Sequence, residues 1–414
     1  MTYTDPHTPP PDHEPSPGWG QSLAGGAAGL ALLHIGYAHA GIGDWATAHQ
    51  WVKAMTARPV AADRNASLFR GAPAVAFVLR TTGLPAYSST LRALDEHTVR
   101  IVRVRLAQAH ERIDHGVLAD LGEFDLINGL TGLGVCLLHA HHADPTHPGD
   151  APLREVLSYL VRLTQPVSIG GTTLPRWWTP HGPSGRPDPR WPTGHANLGI
   201  AHGITGPLAL LSTAMIAGMT VPGQADAIER IDRFLDAWRC GPQHSPWWPG
   251  MISAREWANA AVDQPGPQRP SWCYGTPGLT HARHLAAQAL HHPAGIDAAQ
   301  AALVACITDN AQLHQLRDDS LCHGWAGLVH TARRTLTDTE PDSDSAQALA
   351  DLERRWQQRN PKTLHNTPSA SGLLEGHSGV ALTYLPADID WDACLLTAPP
   401  VPISVSALAV KGTG

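Results

Sequence analysis

The sequence has few charged residues and no long basic segment. Only 16% of its 414 residues are Asp, Glu, Lys or Arg, and the formal net charge is -7. Surfaces that bind nucleic acids or anionic membranes need clustered Lys and Arg, so the composition argues against both kinds of partner. The N-terminus also lacks the charged-then-apolar order of a signal peptide.

Cysteine is sparse as well, with six residues spread over the whole length. Such spacing does not build the disulfide framework of a small secreted domain. Cys136 and Cys306 lie in apolar helical runs and are predicted to be core residues. The sequence around Cys240 and Cys394 does not indicate a partner for either thiol. The cysteine pattern favours a reducing, cytoplasmic location.

Clear strand signals are scarce, and two long stretches contain no Asp, Glu, Lys or Arg. These are residues 22–43 and 191–225. Either is long enough to suggest a membrane helix, but both are dominated by Gly, Ala, Thr and His. We expect them to contain helices that are buried on all sides.

A Gly-x-x-Gly spacer recurs along the chain at intervals of 45 to 74 residues. An apolar run follows each copy, and amphipathic segments lie between the copies, which predicts a repeated helical hairpin. Alternating buried and amphipathic helices are what two concentric rings of helices require. The copies begin at Gly26, Gly129, Gly203, Gly275, Gly324 and Gly376, with a degenerate seventh at Gly71.

Prolines place each spacer at the start of an inner helix, because Pro207 and Pro277 stand where the first helical turn is expected. If the inner helices all run the same way, the residues just before each spacer form a ring at one mouth. The residues one before the spacer are Gly25, Arg70, Asn128, His202, Tyr274, His323 and Glu375; those two before it are Ala24, Phe69, Ile127, Ala201, Cys273, Cys322 and Leu374.

Two of these copies carry metal-binding residue types. One is Leu321-Cys322-His323-Gly324-Trp325-Ala326-Gly327, and an earlier one is Ser271-Trp272-Cys273-Tyr274-Gly275. Zinc binds thiolate and imidazole tetrahedrally, and three protein ligands with one open position are the catalytic pattern. Cys273, Cys322 and His323 are therefore predicted to hold Zn²⁺.

Other polar and aromatic residues have less specific interpretations. His202 occupies the ring position, whereas most histidines, such as His139, His141 and His142, are expected at the surface or in loops. The Pro- and Trp-rich connections at 174–192 and 246–270 are long for loops. Their tryptophans either cover the predicted mouth, where they would set selectivity, or pack over the ends of the helices.

The motifs together resemble those of the lanthipeptide cyclase family, the LanC type. The matching segments are the two above, Ala201-His202-Gly203-Ile204-Thr205-Gly206 and Glu375-Gly376-His377-Ser378-Gly379. The resemblance implies an all-α fold: an α/α toroid of about seven inner and seven outer helices with zinc at one mouth. We expect a disordered Pro-rich tail at 1–18, the toroid at 19–396 and a C-terminal tail at 397–414.

The family resemblance also implies the activity. Such cyclases form (methyl)lanthionine thioether rings by adding peptide Cys thiolates to dehydroalanine or dehydrobutyrine in a dehydrated precursor. Residue by residue, Cys273, Cys322 and His323 are similar to the zinc ligands, His202 to the acid/base histidine and Asp125 to its acidic partner. Arg269 and Tyr274 match the two remaining active-site positions.

Because only a short segment precedes residue 19 in this sequence, the chain is similar to the free-standing, class I cyclases of the family. The implied partners are a leader-bearing peptide and a separate dehydratase. An exporter, and membrane association through a biosynthetic complex, stay open.

Two alternatives remain at this point. A related enzyme could add glutathione to dehydroamino acids, or a non-catalytic scaffold could bind peptide and use zinc structurally. Structural zinc normally has four protein ligands, whereas the motifs supply three. Prenyltransferases and glycosidases also include α/α toroids. This sequence has neither the ligand pattern expected of the former nor the carboxylate pair expected of the latter.

Overall fold

The fold is described by a computed structural model at residues 4–144, 149–336, 340, 343–359, 371–385 and 389–397. Helices dominate these residues, as the sequence predicts. No helix among them is both long and apolar enough to cross a membrane.

Seven buried helices alternate with six amphipathic outer helices in the described part of the chain. The buried set comprises α1 (Ala27–His39), α3 (Ala72–Arg80), α6 (Leu130–Ala143), α8 (Thr205–Ile216), α11 (Thr276–Ala289), α14 (Trp325–Leu336) and α16 (His377–Leu382). The outer set comprises α2 (Trp45–Met55), α4 (Ser88–Asp114), α7 (Asp150–Leu163), α9 (Gln224–Ala237), α12 (Pro293–Thr308) and α15 (Asp344–Gln358). Short helices α5 (Leu121–Phe124), α10 (Ala254–Asn259) and α13 (Asn310–Leu313), and a 3-10 turn at Pro85–Tyr87, lie between them.

The buried helices form a closed inner ring. The first six pack on their outer partners, and successive inner helices contact one another from α1 through α14. Helix α16 contacts α1, and Arg333 of α14 donates to the Thr383 carbonyl at 2.6 Å. The predicted double ring is confirmed, and it brings the start of the chain against its last repeat.

The Gly-x-x-Gly spacers mark the inner helix starts, as predicted. Six of the inner helices begin directly after the first spacer glycine. The second glycine allows close packing: at Gly379 an added Cβ would lie 2.8 Å from Leu321 Cβ of the neighbouring repeat. Gly275 has φ +100°, a conformation that glycine adopts most readily.

Backbone hydrogen bonds join the repeats at one mouth. The acceptors are carbonyls two residues before a spacer, as in Cys273 N to Cys322 O (3.2 Å) and Leu374 N to Ala24 O (3.0 Å). We call this set the mouth ring; its other bonds are Leu23 N to Phe69 O, Leu126 N to Ala201 O, Ile200 N to Cys273 O and Cys322 N to Leu374 O. These bonds confirm that the predicted positions meet at one mouth.

After α16 the described chain does not form a seventh outer helix. A 3-10 segment, Asp390–Leu395, turns inward and contacts α6. Trp391 and Leu395 are buried, and Asp392 accepts hydrogen bonds from His330 (2.8 Å) and Arg334 (2.7 Å). Apolar burial and this ion pair explain why the segment enters the core.

The long connections contain four short strands and pack mainly on outer helices. Strands β1 (Pro166–Ile169) and β2 (Thr172–Pro175) form a hairpin, and β3 (His195–Asn197) pairs antiparallel with β4 (Met251–Ser253). Trp177, Trp178 and Trp248 are buried, and the Trp248 indole donates to the Leu235 carbonyl of α9. For these three tryptophans the packing interpretation is the better one.

The N-terminal segment lies against the first pair of helices. Residues 4–18 contact the first hairpin: Trp51 Nε1 donates to the Thr8 carbonyl at 2.9 Å. The predicted boundaries at 18 and 396 stay predictions, and residues 398–414 lie outside the described part.

The prediction for His139 was wrong: it is buried beside Phe77, where burial lowers the pKa of its imidazole to about 3.

Candidate metal centre and proton-transfer pair

Cys273, Cys322 and His323 meet at the mouth. Their candidate ligand atoms all lie within 4.8 Å of one another, and they are the one such group of three or more among the described residues. Cys273 precedes α11, whereas Cys322 and His323 precede α14. The mouth-ring bond from Cys273 N to Cys322 O holds the two segments together.

Asp318 lies behind His323. Its Oδ2 is 3.3 Å from His323 Nε2, and its Oδ1 accepts from the Ser320 backbone at 2.8 Å. The hydrogen bond with His323 is the main reason that the pKa of Asp318 is lowered and that the pKa of His323 is raised. Asp318 therefore orients the imidazole.

The surroundings favour one thiolate in the cysteine pair. The hydrogen bond from Cys322 lowers the pKa of the Cys273 thiol, against the opposing effect of burial. Ser271, whose Oγ lies 3.7 Å from Cys273 Sγ, and the positive charges of His323 and Arg269 act in the same direction. The pair can therefore supply a thiolate as an anionic ligand for a cation.

His202 and Asp125 form a hydrogen-bonded pair in the neighbouring repeats. His202 Nδ1 is 2.7 Å from Asp125 Oδ2, and the Asn128 backbone N–H donates to the other oxygen at 2.6 Å. Asp125 is 1% exposed and the His202 side chain is 37% exposed. Burial acts to lower the pKa of His202, but the hydrogen bond and charge of Asp125 outweigh it and raise that pKa.

Tyr274 is held by a residue that the sequence reasoning missed. Asn197 Nδ2 donates to the Tyr274 hydroxyl at 2.9 Å, and Asn197 Oδ1 accepts from Gly199 N at 3.0 Å. Burial raises the pKa of Tyr274 to about 12, so its phenol is protonated at neutral pH. Because its oxygen accepts from Asn197, its O–H is available to a further acceptor.

Arg269 lies in the loop before Cys273 and is partly exposed. Its positive charge acts on both cysteines and on His323, and in each case it favours the less protonated form. The four cysteines outside this cluster are free; Cys136, Cys306 and Cys394 are buried.

The structure thus brings all seven predicted site residues to one mouth. It adds Asn197 and Asp318, which sequence reasoning missed although a signal existed. Both stand six residues before the first glycine of their spacer, the same position that Arg269 holds in its own repeat. Reading that position across the repeats would have found them.

Comparison with known proteins agrees with this architecture. The nisin biosynthesis protein NisC of Lactococcus lactis subsp. lactis is 25% identical over 198 residues, which are 46% of this chain and 45% of NisC. The match therefore spans less than half the length of that relative. A solved structure named nisin cyclase is 20% identical and shares the fold, with a TM-score of 0.71 over 92% of this chain and 93% of that one.

The family comparison covers far more of the chain. Residues 17–392 match the family described as lanthionine synthetase C-like protein. Because this match includes nearly all of the described helices and every residue of the candidate site, the chain belongs to the lanthionine synthetase C-like family.

Proposed function

We propose that this protein is a zinc-dependent cyclase. Its substrate would be a dehydrated lanthipeptide precursor, in which it adds Cys thiolates to dehydroalanine or dehydrobutyrine and closes thioether rings. The observation that carries the proposal is the juxtaposition of a Cys-Cys-His cluster with a His202–Asp125 pair at one mouth. Family membership and the partial likeness to NisC support the same activity.

The chemistry of the cluster fits zinc. Zn–S bonds of about 2.3 Å and Zn–N bonds of about 2.1 Å are compatible with ligand atoms less than 4.8 Å apart. His323 Nε2 faces Asp318, which leaves Nδ1 as the nitrogen for a metal. Three protein ligands leave a coordination position for a substrate thiol, and bound Zn²⁺ would lower the pKa of that thiol.

The residues around the cluster would serve the addition. The peptide sulfur forms a bond to the β-carbon, and the electrons of the C=C bond move toward the carbonyl to give an enolate. Protonated His202 then donates its Nε2 proton to the α-carbon, because Nδ1 is held by Asp125. The thiol proton returns to His202 or to solvent, so the reaction needs no other reactant.

Two further groups would act on the developing negative charge. The Arg269 guanidinium already acts electrostatically on both thiols, so an enolate formed beside them would also be stabilised by it. The Tyr274 hydroxyl, positioned by Asn197, can donate to the same oxygen. Asp125 keeps the His202 ring oriented and favours its protonated form.

The test separates metal binding from proton transfer. We expect wild type to hold one zinc per chain and to consume the thiol of a dehydrated precursor peptide. Cys322→Ala should lose the metal, whereas His202→Ala should keep it and form rings about 100-fold to 10,000-fold more slowly. Zinc binding without thiol consumption in wild type would contradict the proposal.

Glutathione addition and a structural role for zinc are tested in the same assay. The structure groups three residues at the cluster among those described, rather than the four of a typical structural zinc site. Exchange of a bound thiol at the metal, measured by competition with a small thiol, would argue against the scaffold. A glutathione adduct in place of a ring would favour the second enzyme.

A further inference from the structure

A polar cavity of about 560 Å³ opens beside the mouth between the second and third repeats. Its wall includes Arg64 and Arg70 from the segment before α3 and Arg105 from α4. The segment before α6 supplies Asp120, Glu123 and Asn128. Within residues 4–144, which are all described, no mouth-ring bond joins these two repeats. The cavity occupies the interface where that bond is missing.

Of the acidic groups of this wall, Glu123 is paired with an arginine, whereas Asp120 is exposed and lies beside a histidine. Glu123 accepts from Arg112 Nε (2.7 Å) and Nη2 (2.6 Å), and Asp120 lies 3.3 Å from His181 Nε2. Arg105 is also engaged, since it donates to the backbone carbonyls of Asn128 (2.6 Å) and Gly122 (2.5 Å). It forms a fixed part of the wall.

Arg64 and Arg70 are different. Both are exposed, and neither guanidinium has a hydrogen-bond or ion-pair partner among the described residues. They place two guanidinium groups that form no ion pair among the described residues at the cavity of a protein whose net charge is -7. Such charges attract carboxylates, which arginine binds with two parallel hydrogen bonds.

The cavity adjoins the proton-transfer pair. Asn128 lines it, and the Asn128 N–H is 2.6 Å from Asp125 Oδ1. The other oxygen of Asp125 contacts His202. A peptide whose reactive groups lie at the mouth can therefore place a neighbouring side chain against Arg64 and Arg70.

We propose that Arg64 and Arg70 form a subsite for acidic side chains of the peptide substrate. This inference rests on the proposed function and names a feature of its substrate: an Asp or Glu near the reacting residues. The expected gain per exposed charge pair is small and salt-dependent, so the subsite sets preference among peptides rather than the chemical step.

The test uses two labelled synthetic peptides with one Cys and one dehydroalanine. They differ only in carrying Glu or Gln on both sides of the reacting segment, and both have blocked termini, so that side chains supply the only carboxylates. Binding to the zinc-loaded protein is measured by fluorescence anisotropy at low and high salt. Wild type should bind the Glu peptide about threefold to tenfold more tightly at low salt.

The variants decide whether this preference belongs to the cavity. Arg64→Gln/Arg70→Gln should bind both peptides alike, with unchanged zinc content. Arg92→Gln/Arg103→Gln makes the same charge change at exposed positions of α4 outside the cavity, and should keep the preference. Equal binding of both peptides by wild type, or equal loss in both double variants, would overturn the subsite.

Thiol consumption is followed separately on the same peptides. If the Glu preference is present but no thiol is consumed, the cyclase proposal fails and the subsite stands. If rings form with no preference, the subsite fails and the cyclase proposal stands.

Discussion

The His202–Asp125 pair should give ring formation a defined dependence on pH. Burial opposes the imidazolium, but the Asp125 hydrogen bond and charge raise the pKa of His202 above its usual 6.5. The donor is therefore present at low pH, and the rate should fall as pH rises through this raised pKa. Asp125→Asn removes the charge, so the fall should move to lower pH, which a profile of kcat against pH would show.

A control keeps this result specific to the pair. Asp114 is an exposed carboxylate that pairs with Arg162 instead of a site residue. Asp114→Asn should leave the profile in place. A profile of Asp125→Asn that coincides with wild type on its high-pH side would contradict the role of Asp125.

Gly199 should be needed to keep Cys273 and Tyr274 in position. A Cβ there would lie 2.6 Å from Tyr274 Cε1 and 2.7 Å from the Cys273 carbonyl. Gly199→Ala should therefore destabilise the protein by about 1–3 kcal/mol and weaken zinc binding. Urea unfolding and zinc competition with a chelator measure the two effects.

The matched control is Gly25→Ala, also at the mouth, where an added Cβ would meet nothing within 4 Å. It should stay near wild type in both measurements. If the two variants behaved alike, close packing at Gly199 would not be what positions the cluster.

Single residues differed in how far the sequence could predict their placement. The candidate ligands and His202 stand immediately before spacers, so the repeat itself brings them to one mouth. Asn197, in β3, and Asp318, in the segment before α14, act through side-chain contacts with Tyr274 and His323. Residue type alone does not distinguish such contacts from ordinary loop polarity.

Among the elements, the 3-10 segment Asp390–Leu395 depends on one buried carboxylate. Burial would raise the pKa of Asp392, but His330 and Arg334 lower it below its usual value. Asp392→Asn leaves Arg334 without its charged partner, so the free energy of unfolding at pH 7 should fall by about 3 kcal/mol. Urea denaturation at pH 7 measures this loss.

The sign of the pH effect follows from the lowered pKa. The carboxylate stabilises the fold fully above its unfolded pKa of about 3.9, and this contribution is lost as pH falls toward the folded value. The difference between wild type and Asp392→Asn should therefore shrink in acid. Exposed Asp351→Asn is the control, and a difference that grew below pH 4 would refute the assignment.

The inner helices could be predicted from sequence, whereas this segment could not. Each spacer supplies glycines for close packing, and an apolar run follows it, so helix start and burial are encoded locally. Residues 389–397 carry no spacer. Their inward path depends on contacts with distant residues, such as Trp272 Nε1 donating to the Leu395 carbonyl at 3.0 Å.

At the scale of the whole molecule, the sequence repeat predicted the ring of helices but not the irregular interface between the second and third repeats. The repeated helical units bury their apolar faces against neighbouring units, which favours closure of the last repeat on the first. The cavity at the second and third repeats arises where a mouth-ring bond is missing. The degenerate spacer at Gly71 belongs to this interface, but a Gly-to-Ala difference alone does not predict the missing bond or the cavity.

The central claim is that the mouth adds a peptide thiol to a dehydroamino acid of the same peptide. The most direct test is mass spectrometry of a dehydrated model peptide after incubation with the zinc-loaded protein and excess glutathione. We predict loss of the free thiol, detected by failed alkylation, with no change in peptide mass. A glutathione adduct, or a peptide that stays fully alkylable, would contradict the cyclase account.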